Sequence, residues 1–210
     1  MGLVLKKQVD DDCLLGVWEI TEDFDTLFGQ VKLLPDEKIT LDGFLNHQRK
    51  LEWLSVRVLM NNLLEKDCSI VYNEQRKPFL ACKSHNISIS HSKNLTSILV
   101  SKNKRVGIDL EFMSHQIDNI SRKFINNNEE ITTDPEFKRL HLYIHWCAKE
   151  ALYKICDKQD INFKQNLTIR PFHIKFEGKL SGLVDNKYGH ELFYLNYFII
   201  DSYVVVWCCK

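Results

Sequence analysis

Two long stretches of helical periodicity, one in each half of the chain, are bounded by short runs of strand alternation. That pattern leaves few folds open. The first stretch runs from about residue 38 to 65, with Leu41, Phe44, Leu45, Leu51, Leu54, Val58 and Leu59 as its apolar members. The second covers 136–157, and a shorter helical pattern precedes it at 117–130. Strand patterns occupy 13–20, 68–72, 86–90, 95–101 and 105–112, then 168–177, 190–199 and 202–209. The last two meet at Asp201-Ser202, which reads as a tight turn. The expected fold is α+β, with two similar halves at 1–103 and 104–210, each holding antiparallel strands and one long helix.

Composition excludes several classes of function. Hydrophobic residues make up 44% of the 210 positions, and the 28 basic residues are balanced by 28 acidic ones. A protein that coats nucleic acid needs a basic excess, so no nucleic-acid partner is expected. Seven cysteines, an odd number with no CxxC spacing, point to reduced thiols rather than a disulfide framework or zinc ribbon. The opening "MGLVLKKQVDDDC" lacks the apolar core of a signal peptide, and Lys6 breaks the myristoylation pattern. The most apolar tract, "YFIIDSYVVVWCC", is interrupted by Asp201 and Ser202 and is too short to span a bilayer. A soluble, cytoplasmic protein with no membrane partner is the expectation.

Four constellations carry possible chemistry. In "RVGIDLEFM", Asp109 and Glu111 sit two apart on a strand and so share a face. Such a pair either marks a strand end in water or, with a cation between the carboxylates, an oxygen-only site suited to Mg²⁺. In "HWCAKEALYKIC", Trp146, Glu150 and Lys154 recur every four residues along one helix face. A surface Glu150–Lys154 ion pair accounts for two of them, and a phosphate and metal site would account for all three. In "HNISISHS", His91 closes an alternating strand between Ser90 and Ser92, either as a surface residue or as a phosphate contact. Arg76 and Lys77 precede Pro78 in what is either a charged turn or a basic contact. Arg49, Trp53 and Arg57 also share a helix face, which suits snorkelling cations around an aromatic residue.

Taken in order, Lys77-Pro78, Ser90-His91-Ser92, Gly107-Ile108-Asp109-Leu110-Glu111 and Trp146-Cys147-Ala148-Lys149-Glu150-Ala151-Leu152-Tyr153-Lys154 resemble the motifs of the 4′-phosphopantetheinyl transferase superfamily. The likeness is to the longer single-chain type that activates synthetase carrier proteins. It implies a pseudo-dimer of two α+β halves that holds coenzyme A between them. It also implies transfer of 4′-phosphopantetheine to a serine of an acyl or peptidyl carrier protein, with release of adenosine 3′,5′-bisphosphate. A non-catalytic module that binds coenzyme A or a carrier protein is the alternative.

Residue by residue, the resemblance implies Mg²⁺ held by Asp109, Glu111 and Glu150, with Glu150 or a metal-bound water as the base. It gives Lys154 to the pyrophosphate and Lys149 to the departing phosphate. His91 and Ser90 would contact the coenzyme's phosphates, and Arg49, Arg57, Arg76 and Lys77 its adenosine end. On that division the first half carries the adenosine and phosphate contacts, and the second carries the metal and phosphopantetheine contacts. Arg122, Lys123, Lys138 and Arg139 form a candidate docking face for an acidic carrier. A monomer with internal pseudo-twofold symmetry is expected. Two positions depart from the family: Arg76 stands where a glycine is usual, and "CDKQDINF" lacks the glycine-rich turn after the second lysine.

Overall fold

A computed structural model describes residues 2–114, 116–156 and 160–210. The chain divides into two compact units, the first ending at Lys104 and the second beginning at Arg105. The end of the 136–157 helical pattern and part of "CDKQDINF" fall at 157–159, outside the described residues.

The first unit contains β1 (Leu3–Asp10), β2 (Cys13–Glu19), α1 (Phe24–Phe28), α2 (Pro35–Asp42), α3 (His47–Leu64), β3 (Ile70–Tyr72), β4 (Pro78–Leu80), β5 (Asn86–Ser92) and β6 (Leu95–Ser101). β1, β2, β6 and β5 form an antiparallel sheet in that order, and β3 and β4 form a separate hairpin. The single helix read at 38–65 is two helices. Gly43 closes α2, and the Asn46 side chain then accepts from the Arg49 N–H (3.2 Å) to start α3 afresh. Leu45, counted as apolar periodicity in the sequence, is fully exposed between them. α3 packs on β2 and β6 with Leu54, Val58, Leu59 and Leu63 against Trp18, Ile98 and Val100.

The second unit contains β7 (Val106–Phe112), α4 (Ile117–Phe124), α5 (Pro135–Ile155), α6 (Phe163–Asn166), β8 (Leu167–Ile169), β9 (Glu177–Asn186), β10 (Gly189–Ile200) and β11 (Tyr203–Cys209). Its sheet is antiparallel in the order β7-β11-β10-β9-β8. α4 stops six residues short of the sequence reading. Asn126 turns its side chain to the Leu167 carbonyl and the Thr168 hydroxyl (3.0 Å each) and accepts from the Asn128 N–H, so the chain leaves the helix. The strand read at 168–177 is only the three-residue β8. The α+β class with antiparallel sheets and a long helix in each unit is as the sequence predicts.

α5 lies across β7 and β11. The approach is so close that a Cβ on Gly107 would stand 2.2 Å from the Ala151 carbonyl oxygen, which only glycine permits. Strand alternation then puts Asp109 and Glu111 on the same α5-covered face of β7. Gly16 has the corresponding place in β2, where a Cβ would meet Leu63 and Leu59 of α3 at 2.8 and 2.9 Å.

Candidate active site

The carboxylate of Asp109 is 3% exposed beneath α5. Lys154 donates to Asp109 Oδ1 at 2.8 Å and to the Ile108 carbonyl at 3.0 Å. Both bonds tie Lys154 to the strand. Cys147 sits two turns earlier on the same helix face, and its thiol is pushed well above the ordinary value by burial and by the charges of Asp109 and Glu111. Glu150 lies between Cys147 and Lys154 on the helix surface, at i+3 and i−4. The exit of β7 is tied to the same helix by the Ser114 N–H donating to the Tyr143 hydroxyl (2.9 Å). One strand face thus carries the carboxylates of Asp109 and Glu111, with the Lys154 ammonium on Asp109 and Glu150 on the helix that covers the strand. Hard divalent cations such as Mg²⁺ favour that donor chemistry, and Asp109, Glu111 and Glu150 fit the role.

On its other side Glu150 borders a pocket of about 510 Å³ with Lys123 at its edge. The walls are aromatic: Trp146 packs edge-on to Phe124 (5.1 Å between centroids) and against Phe163 (5.6 Å), which also meets Tyr153 (5.3 Å). An acid at the mouth of an apolar cavity can orient a polar reactant while the walls hold water back.

Lys149 belongs elsewhere. Its side chain is 0% exposed, and its ammonium donates to Glu129 Oε2 (2.7 Å) and to the carbonyls of Phe124 and Phe163. An ammonium has three N–H donors, and all three are used inside the unit. Burial lowers its pKa, and the Glu129 charge opposes that shift. Glu129 also accepts from the Ile169 and Asn126 N–H groups (2.7 and 2.9 Å), so it fixes the 126–129 loop to β8 as well as to α5. The role read from sequence, a contact to a departing phosphate, needs an ammonium facing solvent. Glu129 was missed because the helical pattern read at 117–130 gives it no distinct place, whereas α4 ends at Phe124 and Glu129 lies in the loop beyond.

In the first unit, Arg49 Nη1 lies 2.6 Å from His91 Nε2 and 3.1 Å from Glu52, with His91 Nδ1 3.5 Å from the same carboxylate. The start of α3 and the end of β5 therefore share a polar cluster, with Ser90 buried beside it. Arg57 is not part of it. It is 3% exposed, pairs with Glu37 (3.0 Å), donates to the Trp53 carbonyl (3.2 Å) and stacks 3.0 Å over the Trp53 ring. Snorkelling is excluded, because both Arg57 and Trp53 are interior residues. Arg76 and Lys77 lie in the β3–β4 turn, where the Lys77 N–H donates to Asn73 Oδ1 (2.8 Å). Arg76 has φ 60°, a left-handed backbone that favours glycine. Arg122 and Lys123 end α4, and Lys138 and Arg139 lie near the start of α5, where Lys138 reaches Asp118 (3.5 Å).

Residues 105–208 match the 4′-phosphopantetheinyl transferase superfamily. Through that segment the chain belongs to the superfamily. Comparison with curated proteins finds no match. The matched segment covers the whole second unit up to Cys208, including Asp109, Glu111, Glu150 and Lys154. Phosphopantetheinyl transfer is the activity of the superfamily, whose members use coenzyme A and typically a divalent metal. The cluster of Arg49, Glu52 and His91 lies outside the matched residues. No helix among the described residues is long and apolar enough to cross a membrane.

Proposed function

We propose that this chain transfers 4′-phosphopantetheine from coenzyme A to a serine hydroxyl of an apo acyl or peptidyl carrier protein, in the manner of the longer single-chain members of its superfamily. The observation that carries the proposal is the placement of Asp109. It is a buried carboxylate on a strand face shared with Glu111, under a helix that carries Glu150 and ties its Lys154 to Asp109. Asp109, Glu111 and Glu150 would hold Mg²⁺. When bound, the ion supplies positive charge against the pyrophosphate of the donor.

Lys154 serves beside this set. Held on Asp109 Oδ1, its ammonium keeps a positive charge within reach of an incoming phosphate. Glu150, at the mouth of the aromatic pocket, takes the serine proton as general base. Lys149 acts through Glu129 as a positioning residue: it fixes the helix register on which Glu150 stands. In the first unit, Arg49, His91 and Ser90 are proposed phosphate contacts, with Arg76 and Lys77 in the β3–β4 turn reaching further phosphate or adenosine groups. Arg57 is left out, since its guanidinium is committed to Glu37. The basic residues of α4 and α5 (Arg122, Lys123, Lys138 and Arg139) are the proposed face for an acidic carrier, and the protein is proposed to act as a cytoplasmic monomer.

The test is direct. The protein is incubated with coenzyme A, Mg²⁺ and a panel of apo-carriers, and each carrier is weighed by mass spectrometry. A gain of one phosphopantetheine on at least one carrier is expected. No gain on any, with coenzyme A still bound, would make the chain a binding module instead.

A further inference from the structure

The β3–β4 hairpin of the first unit carries chemistry that phosphopantetheine transfer does not use. Ile70 faces Leu80, and the Ala81 N–H donates to the Ser69 carbonyl at 3.0 Å. Cys68 and Cys82 flank that hydrogen bond, Cys82 within the turn that the Lys83 N–H closes on the Leu80 carbonyl (2.9 Å). Both residues are reduced thiols here, Cys82 exposed and Cys68 partly buried.

The two thiols differ in their surroundings. Cys82 Sγ donates to Ser84 Oγ at 3.2 Å, and that oxygen lies 2.9 Å from His85 Nδ1, so a hydroxyl links the thiol to an imidazole. Hydrogen bonds from Ser84, side chain first and then backbone, hold the Cys82 thiol below its ordinary range, and Lys66 adds to this. Burial, followed by Lys66 and Lys102, lowers the pKa of His85, so no positive imidazolium is favoured there. Burial instead raises Cys68, Lys66 opposes that, and negative charge on Cys82 raises it again. An exposed, ionisable thiol next to a protonated partner is the usual arrangement of an attacking and a resolving cysteine.

We infer that Cys82 is a modification site for low-molecular-weight disulfides of the glutathione class, with Cys68 as the thiol that resolves the adduct into a Cys68–Cys82 bridge. The exposed Cys82 thiol loses its proton to solvent, the Ser84 hydroxyl donates to the thiolate, and the sulfur attacks one sulfur of the small disulfide. A Cys82–glutathione bond forms, and one glutathione thiolate leaves and is protonated. Cys68 then loses its proton and attacks Cys82 Sγ, displacing the second glutathione. Two electrons pass from the two cysteines to the small disulfide, which becomes two thiols. The bridge closes the base of the hairpin whose turn carries Arg76 and Lys77.

The experiment uses the full chain, limiting iodoacetamide or oxidised glutathione, and peptide mapping by mass spectrometry. Cys82 should be alkylated at least about tenfold faster than Cys68, and Ser84→Ala should slow it several-fold with an unchanged circular dichroism spectrum. Oxidised glutathione should leave wild type with a reducible Cys68–Cys82 crosslink, while Cys68→Ala, or Cys68→Ser if alanine unfolds the unit, stops at the Cys82 adduct. Cys82 reacting no faster in the folded than in the unfolded chain would overturn the site. A wild-type adduct that persists as in Cys68→Ala would overturn the bridge.

Discussion

Each unit holds a buried cation on its long helix, paired with a glutamate from an earlier segment, and the two pairs lie 92 positions apart: Arg57 with Glu37, Lys149 with Glu129. The likeness reaches the details. Each glutamate also accepts from the N–H three residues before it, Leu34 in one case and Asn126 in the other. Each helix crosses a glycine of the first strand it covers, Gly16 or Gly107. The chemistry does not repeat. Two residues after the glycine, the second unit has Asp109 and the first has Trp18. One and five residues after the cation, the second has Glu150 and Lys154, the first Val58 and Asn62. A shared pair at matching positions, with reactive groups around only one of them, marks the pair as a device of the fold.

The sharpest way to break this comparison is to remove the cations. Lys149→Met and Arg57→Met should each cost about 3–5 kcal/mol in chemical denaturation, because each leaves a buried glutamate charge unpaired. A fully stable Lys149→Met variant that lost transfer activity would return Lys149 to the chemistry and end the parallel. The reactive difference is tested next. Glu150→Gln should lower the carrier-modification rate by about 10²-fold or more, while Val58→Ala at the matching position leaves the rate unchanged.

Acid should also distinguish the units. At the positions of Arg49 and Trp53 in α3, α5 carries His141 and His145, whose rings pack 4.7 Å apart and against Phe172. Burial lowers His145 to about 3, and lowers His141 as well. Above about pH 6.5 both states are neutral and the stability is complete. Between 6.5 and 3 the unfolded chain takes up a proton that folded His145 refuses, so stability falls by up to about 1.4 kcal/mol per pH unit. Amide exchange should therefore show α5 losing protection faster than α3 as pH drops from 7 to 5. Equal loss in both helices would refute this. The smallest effect is at Arg76: replacing it with glycine should stabilise the first unit by up to about 1 kcal/mol in a denaturant titration, by relieving its left-handed backbone.

The Asp109–Glu111 strand and the Glu150–Lys154 helix were legible because period two and period 3.6 each place their residues without tertiary information. Lys149 was not, since it differs from Glu150 only by the roughly 100° that one helical residue turns. Which of the two faces inward depends on Glu129, a loop residue far along the chain. The break between α2 and α3 was signalled by Gly43 and Asn46, but Leu45 extended the apolar count across it. β9 escaped because "EGKLSGLVDN" is poor in strand formers, and it is held by its pairing with β10.

The missing side chain at Gly107 has a consequence for engineering. It works as a gauge block: the thickness of that one residue sets the clearance between β7 and α5. Any side chain there would have to lift the helix by an ångström or more, carrying Glu150 and Lys154 away from Asp109 together. A Gly107→Ala variant would retain every group proposed for the reaction and still fall out of tolerance, so engineering that aims to keep the proposed activity would do best to leave this position fixed.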